Sequence, residues 1–350
     1  MTSRAHLGSG ARSLSGNVTM SHGSGGKATH ALVETLFLEA FRNAALTPLN
    51  DGAVVQVAGK NVAFTTDTFV VSPIFFPGGC LGDLAINGTV NDLAACGAQP
   101  LALSAGFVIE EGFPLSDLTR VVEAMAAAAR EVGVPVVTGD TKVVEHGKGD
   151  GCYVNTSGIG LVDPLAATLS AASAQPGDQV IVSGFIGDHG TAVLLARGEL
   201  GILADISSDT APLNGLVAAL IDQVGRDVHV LRDATRGGVA TVLNEVAQAS
   251  KAGVVLAEER LPVRPEVLGV CEMLGIDPLY VACEGRMVAI VAGGSADRAL
   301  HAMRAHPMGR DSTVIGEVRA EPKGLVLEDT GFGGSRVVDM LVGDPLPRIC

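Results

Sequence analysis

The chain has 350 residues and a net charge of −14, with 47% hydrophobic residues, 3% aromatic residues and no tryptophan. The charge argues against non-specific binding to nucleic acid or an anionic membrane, and no apolar run approaches the ~20 residues that a membrane helix needs. The length suits two domains, with cores of Ala, Val, Leu and Ile packed closely around 45 glycines. If so acidic a chain binds a polyphosphate, cations must stand between them, which points to Asp-held Mg²⁺.

Residues 1–20 are polar and lack the apolar core of a signal peptide, so they read as a disordered leader to a cytoplasmic protein. Met20-Ser-His-Gly-Ser-Gly-Gly-Lys27 then precedes a helical pattern from Ala28 to Asn43, with a stripe of Leu32, Leu36 and Ala40. A glycine-rich loop ahead of a helix suits an anion, although a plain hinge explains the same glycines and Lys27 is equally well a solvated lysine. The Walker A spacing is absent.

Val62 to Ser72 reads as a strand interrupted by Asp67, an acid that belongs at an edge or beside a ligand. A helix is predicted from Leu81 to Cys96, with Asp92 on the same stripe as Ala85, Gly88 and Ala95. A carboxylate among such small side chains has room beside it for a metal or ligand. A second helix, Asp117 to Val132 with Ser116 as its cap, feeds a strand from Val134 to Glu145. There Asp140 and Lys142 share one face, as an ion pair or as part of a site.

Ala166 to Asp178 reads as a domain boundary. Beyond it a buried strand, Gln179 to Gly184, leads to Gly187-Asp-His-Gly190 and a helix. A helix near Leu213 to Val224 follows. Then Val228 to Asp233 is a strand that delivers Asp233 to Gly237, Gly238 and the helix Val239 to Ser250. Asp233 serves either as an N-cap or as a metal–phosphate acid. Tyr280 to Val291 reads as a hairpin with Glu284 at its turn, and pattern alone gives that Glu no role. A last helix (Ala296 to Ala305) and a strand (Ser312 to Val318) lead to an arm, Gly331 to Cys350, punctuated by Pro345 and Pro347. Fully stretched, the arm spans ~60 Å at ~3.3–3.6 Å per residue.

Six cysteines show no CxxC pair, and Cys80, Cys96, Cys152, Cys271 and Cys283 read as reduced core residues. Cys350 is the final residue. A frayed end accounts for a terminal cysteine. Prenylation does not, because that motif places its cysteine four from the end. A thiol on a stiffened arm has a further use: it can be loaded in one place and consumed in another.

The segments HGSGGK, TTDTFVVSPIFFPGG, TVNDLAACGAQPL, TGDTKVV, GDHG, LRDATRGG and ACEG, in this order, resemble the ATP-dependent aminoimidazole ribonucleotide synthetase (PurM-like) superfamily. The C-terminal PRIC resembles the hydrogenase-maturation (HypE) group within it, and the likeness runs from about His22 to Cys350. The resemblance implies an α/β (α+β) fold of two PurM-like domains, each a mixed sheet with helices on one face, plus a mobile tail. An ATP-binding, dimerising domain would span 21–165, a second α+β domain 175–325 and the tail 331–350. It makes Asp67, Asp92, Asp140 and Asp233 the Mg-ATP acids, places Gly25 and Gly26 in the phosphate-side loop, and sets Lys142 and Glu284 around a substrate-carrying Cys350.

The implied chemistry is ATP-dependent dehydration of an S-carbamoyl group on Cys350 to a thiocyanate, with ATP and Mg²⁺ as cofactors. The implied partners are a second copy of the chain, the carbamoyltransferase HypF and the iron-carrying HypC–HypD complex. A purine-pathway amidine synthetase and a non-catalytic, ATP-switched carrier of the tail are the alternatives. Selenophosphate synthetase fits less well, because the glycine loop His22–Lys27 holds no cysteine.

Overall fold

Runs of Val, Ile and Thr pair into two mixed sheets, and the helices between them cover one another. A computed structural model of the protein describes residues 16–343 and 346–350; most of the leader expected over 1–20 lies outside the described residues, as does Pro345.

The first sheet has the order β1 (Ala53–Val57), β2 (Lys60–Phe69), β7 (Cys152–Val162), β5 (Ala98–Glu110), β6 (Val136–Val144), and only β5 and β6 run parallel. A two-residue hairpin, β3 (Phe75–Phe76) with β4 (Gly79–Cys80), leads into α3 (Leu81–Ala95). Side chains of β7 alternate between buried and accessible, as a sheet covered on one face requires. The covering helices are α3 and α4 (Leu115–Val132).

The second sheet joins seven strands in the order β14 (Ser335–Val337), β13 (Val326–Asp329), β10 (Gly253–Ala257), β12 (Thr313–Arg319), β8 (Gln179–Val182), β11 (Met287–Val291), β9 (Val228–Asp233). Its helices are α5 (Asp188–Ala196), α6 (Asn214–Val224), α7 (Gly238–Ser250), α8 (Pro265–Leu274) and α9 (Ala296–Ala305). Because α3 packs on α6, one apolar core runs from Phe69 and Leu84 through Leu216 and Leu220 to Met303. The cysteines expected in the core are buried free thiols.

Helix α3 meets α4 at Gly82, where an added Cβ would stand 2.2 Å from the Val121 carbonyl oxygen. Gly82→Ala is therefore expected to destabilise the protein by about 2 kcal/mol, the scale of overpacking a close contact. A denaturant midpoint equal to that of the unaltered protein would contradict this packing.

Four local expectations are corrected. The N-terminal helix is broken into α1 (Lys27–Leu32), a π-turn (Val33–Phe37) and α2 (Leu38–Phe41), and Leu36, Phe37 and Phe41 stay exposed, so its apolar stripe joins no core among the described residues. Helix α4 starts at Leu115 behind Pro114, with no side-chain cap, so Ser116 lies inside the helix. Tyr280–Val291 is not a hairpin. The backbone of Cys283 bonds instead to Ala234 beyond β9, and only Met287–Val291 forms a strand, between β8 and β9. Finally, the arm begins later than Gly331, because Ser335–Val337 pairs with β13 and the Val338 amide bonds to Val326.

Candidate active site

Three elements and one loop bring acids to one cleft of about 510 Å³: β2 carries Asp67, α3 carries Asp92, β9 ends in Asp233, and the turn before β1 supplies Asp51. The small-residue stripe on α3 explains the approach. An added Cβ on Gly88 would stand 2.8 Å from the Phe69 ring and 3.6 Å from Asp67 Oδ2, so this face of the helix lies directly against β2. Thr65 Oγ1, also on β2, donates to Asp92 Oδ2 at 2.6 Å. Asp233 is not a helix cap, since α7 starts from Gly237 without a side-chain cap.

The carboxylates raise one another's pKa. Burial, then the charges of Asp233, Asp67 and Asp51, hold Asp92 well above the ordinary carboxylate range. Asp233 is raised likewise, by burial and then Asp51, against the pull of Arg232. Burial raises Asp67 while Arg236 opposes it, and pushes Asp51 up to about 6 against Arg232. Arg232 is already engaged: its Nε lies 2.9 Å from Asp51 Oδ1, and it also pairs with Glu245, which His30 Nε2 holds at 2.8 Å.

Such a cluster gains from a bound cation, which favours the charged form of every acid in it. Among the described residues no three His, Cys, Asp or Glu side chains converge closely enough to hold a metal unaided. Mg²⁺ needs only one or two carboxylates, with phosphate oxygens and water completing its shell, so hard oxygen donors set apart in this way fit Mg²⁺ on a polyphosphate.

Gly25 lines the same cleft at φ +81°, and its added Cβ would meet the Arg236 backbone at 2.8 Å, which only glycine tolerates. Gly26 packs instead against the root of the tail, with Leu341 O 2.3 Å from its would-be Cβ. Asp140 and Lys142 stand apart from the cluster. They pair with each other at 2.7 Å on β6, an edge strand of the first sheet, with both side chains 70% exposed. A single chain thus brings Asp67, Asp92 and Asp233 together but not Asp140 or Lys142.

The tail docks against the cluster. Its last residues line a second cleft of about 340 Å³, and Arg236 borders both clefts. The Val70 amide donates to the terminal Cys350 oxygen at 3.0 Å and the Ser72 amide to Arg348 O at 3.1 Å, so the tail lies beside the end of β2. Burial raises the Cys350 thiol far above its usual pKa, and the negative charge of Glu284 adds to this while Arg236 opposes it.

Glu284 is itself buried, and its Oε1 has no hydrogen-bond partner within the described chain. Its backbone is fixed on both sides: its amide donates to Asp209 Oδ1 at 3.0 Å, and its carbonyl accepts from Asn91 Nδ2 at 3.1 Å. Burial, then Asp233 and Asp67, hold its carboxyl well above the ordinary range.

Sequence reasoning passed over Asp51, Arg232, Glu245, Asn91 and Asp209. Arg232 was visible beside Asp233, whereas Asp51 follows an ordinary turn and carries no local signal. Arg236 lay within the quoted LRDATRGG segment without a role of its own.

Known proteins share this architecture. The family model "AIR synthase related protein, N-terminal domain" matches residues 49–162, and its C-terminal counterpart matches 175–327. The carbamoyl dehydratase HypE of Azotobacter vinelandii is 54% identical over 96% of this chain and 98% of its own length. The chain belongs to the HypE family. HypE proteins are carbamoyl dehydratases of hydrogenase maturation, and this chain is an enzyme of that class. A solved HypE–HypF complex matches with a TM-score of 0.84 and 48% identity, over 89% of this chain and all of the HypE chain. A HypE structure in complex with ATP matches with a TM-score of 0.80 and 46% identity, over 95% of this chain and all of that one. The HypE assignment replaces the purine-pathway alternative. Among the described residues no helix is long and apolar enough to cross a membrane.

Proposed function

We propose that the chain dehydrates an S-carbamoyl group carried on its own Cys350 to a thiocyanate, at the expense of Mg-ATP, and so supplies the cyanide ligands of the [NiFe]-hydrogenase iron. The observation that carries this reading is the docked Cys350, whose thiol is under the charge of Glu284 and Arg236, with Arg236 also bordering the acidic cleft. The solved HypE–ATP and HypE–HypF complexes support ATP as the nucleotide and a HypF-type transferase as the source of the carbamoyl group.

Asp67, Asp92 and Asp233 would hold Mg²⁺ on the phosphates, with Gly25 admitting them close to the backbone. Bound there, Mg-ATP supplies the phosphoryl group that makes the carbamoyl oxygen a leaving group. The residues of the chain do the rest. Arg236 faces charge on either side of it, and Glu284, with an unpartnered oxygen and a raised pKa, takes up an amide proton as the carbon–nitrogen triple bond forms and the carbon–oxygen bond breaks. The thiocyanate then leaves on the tail for an iron-bearing HypC–HypD acceptor in the cytoplasm.

The chain would act as a homodimer. Val136, Val137 and Val143 on the edge strand β6, and Val55, Phe64, Val108 and Ile159 across the sheet, are all exposed, more apolar area than a lone sheet leaves in water. Asp140 and Lys142 lie on that same edge.

Asp92→Asn tests the reading. The amide preserves the shape of the side chain and removes a carboxyl that burial and the neighbouring acids already disfavour in its charged form, so the variant should fold and accept the carbamoyl group normally. ATP-dependent thiocyanate formation should fall by about a hundredfold. Undiminished formation in the folded variant would favour the carrier alternative, in which the nucleotide only moves the tail.

A further inference from the structure

The Gly187-Asp-His-Gly190 turn belongs neither to the acidic cluster nor to the apolar core alone. His189 opens α5 fully buried, with its ring edge-on to Phe76 at 5.5 Å between centroids. Nε2 lies 3.0 Å from the carbonyl oxygen of Ile349, the residue before the reactive cysteine, and Nδ1 lies 2.7 Å from Ser208 Oγ. A carbonyl oxygen only accepts, so Nε2 must carry the proton. Nδ1 is then the acceptor, and the Ser208 hydroxyl donates to it while accepting from the Thr210 amide at 3.1 Å. Burial pushes the imidazole pKa down to about 4, which keeps this neutral tautomer across the physiological range.

Gly190 of α5 and Arg197 just past its end face the same segment. Gly190 has space only for hydrogen, since an added Cβ would stand 2.7 Å from Val281 Cγ1 and 3.4 Å from Leu346 Cδ1 of the tail. Asp188 is anchored by Arg264 at 3.0 Å, which fixes the turn. Arg197, just past the end of the helix, donates to Arg348 O at 3.2 Å, to Pro347 O and to Ser72 O. With the Val70 and Ser72 amides, every backbone carbonyl from Pro347 to Cys350 is engaged. Arg348 takes φ +55°, a turn that non-glycine residues adopt at a cost, so these contacts must hold it.

We propose that His189, oriented by Ser208, is a positioning residue for the dehydration: by donating to the Ile349 carbonyl it sets how far the modified Cys350 reaches toward Glu284. Recognition through backbone carbonyls is indifferent to what the sulfur carries. It therefore serves the free, carbamoylated and cyanated tail alike.

The inference rests on the proposed role of Cys350. It is tested on the full chain by separating two rates: carbamoylation by the transferase, which uses the released tail, and single-turnover dehydration with Mg-ATP, which uses the docked one. His189→Leu should leave carbamoylation unchanged or faster and slow dehydration by about tenfold or more. His189→Gln, which keeps a donor on that side, should recover most of the rate. Ser208→Ala, which removes only the orienting hydroxyl, should give a smaller loss of dehydration alone and serves if the leucine variant does not fold. Exchange of the Val70 and Ser72 amides, which donate to the Cys350 and Arg348 oxygens of the tail, should quicken in His189→Leu whether or not chemistry is followed. Dehydration within about twofold of the unaltered protein, or unchanged exchange of the Val70 and Ser72 amides, would overturn the inference. An unaltered protein that forms no thiocyanate while His189→Leu loosens its tail would instead count against the role of Cys350.

Discussion

Glu284→Gln is expected to stop thiocyanate formation while Cys350 is still carbamoylated, lowering the dehydration step by about 10²–10⁴-fold, the range for loss of a general base. Gln keeps the size of the side chain but has no basic oxygen. The fold around it is set by the backbone bonds to Asp209 and Asn91, which the substitution leaves intact, so loss of stability cannot account for so large an effect. The pH profile adds a second reading. Burial and the nearby Asp233 and Asp67 raise the pKa of Glu284, so its basic form gains with rising pH, and the rate in the unaltered protein should climb through that titration. The climb should vanish in Glu284→Gln. A variant that dehydrates at the original rate would remove Glu284 from the mechanism.

Lys142→Ala is expected to be nearly inactive by itself and to be rescued by Glu284→Gln. Lys142 lies on the exposed edge strand β6, paired with Asp140 and away from the cleft that holds Asp67, Asp92 and Asp233. If it acts on the carbamoyl group, it must therefore do so across a dimer joined at that edge. In a two-fold dimer each site would combine Glu284 of one chain with Lys142 of the other. A mixture of the two inactive variants then contains hybrid dimers with one intact site, and about a quarter of full activity should return. No recovery on mixing, together with a dimer in solution, would confine Lys142 to a surface ion pair.

The division between what the sequence disclosed and what it hid follows from how each residue is held. Asp92 was legible because helical period puts it on the Ala85–Gly88–Ala95 stripe, and Gly88 does press on Phe69 beside Asp67. Asp233 was legible as a strand-end acid before paired glycines. Its choice between cap and ligand was not, since that depended on Gly237 taking the cap position. Glu284 was misread as a hairpin turn because strand propensity on both sides says nothing about Ala234, which draws the Cys283 amide away from any hairpin partner. Asp51, Arg232 and Glu245 form one network from segments far apart in the chain, and no local pattern reports such a meeting. Whether the tail rests docked or free is not legible in the sequence; in the structure each of its last four carbonyls is bonded, by partners at residues 70, 72, 189 and 197 that no spacing rule connects to it.

The most direct measurement is the mass of the C-terminal peptide ending in Cys350, after the chain is incubated with the transferase, carbamoyl phosphate and then Mg-ATP. The account predicts a carbamoyl adduct before ATP and, after it, the same peptide lighter by one water and labelled at the sulfur. A carbamoyl adduct that persists in folded, ATP-binding protein, or a cyano group found on any other residue, would contradict it.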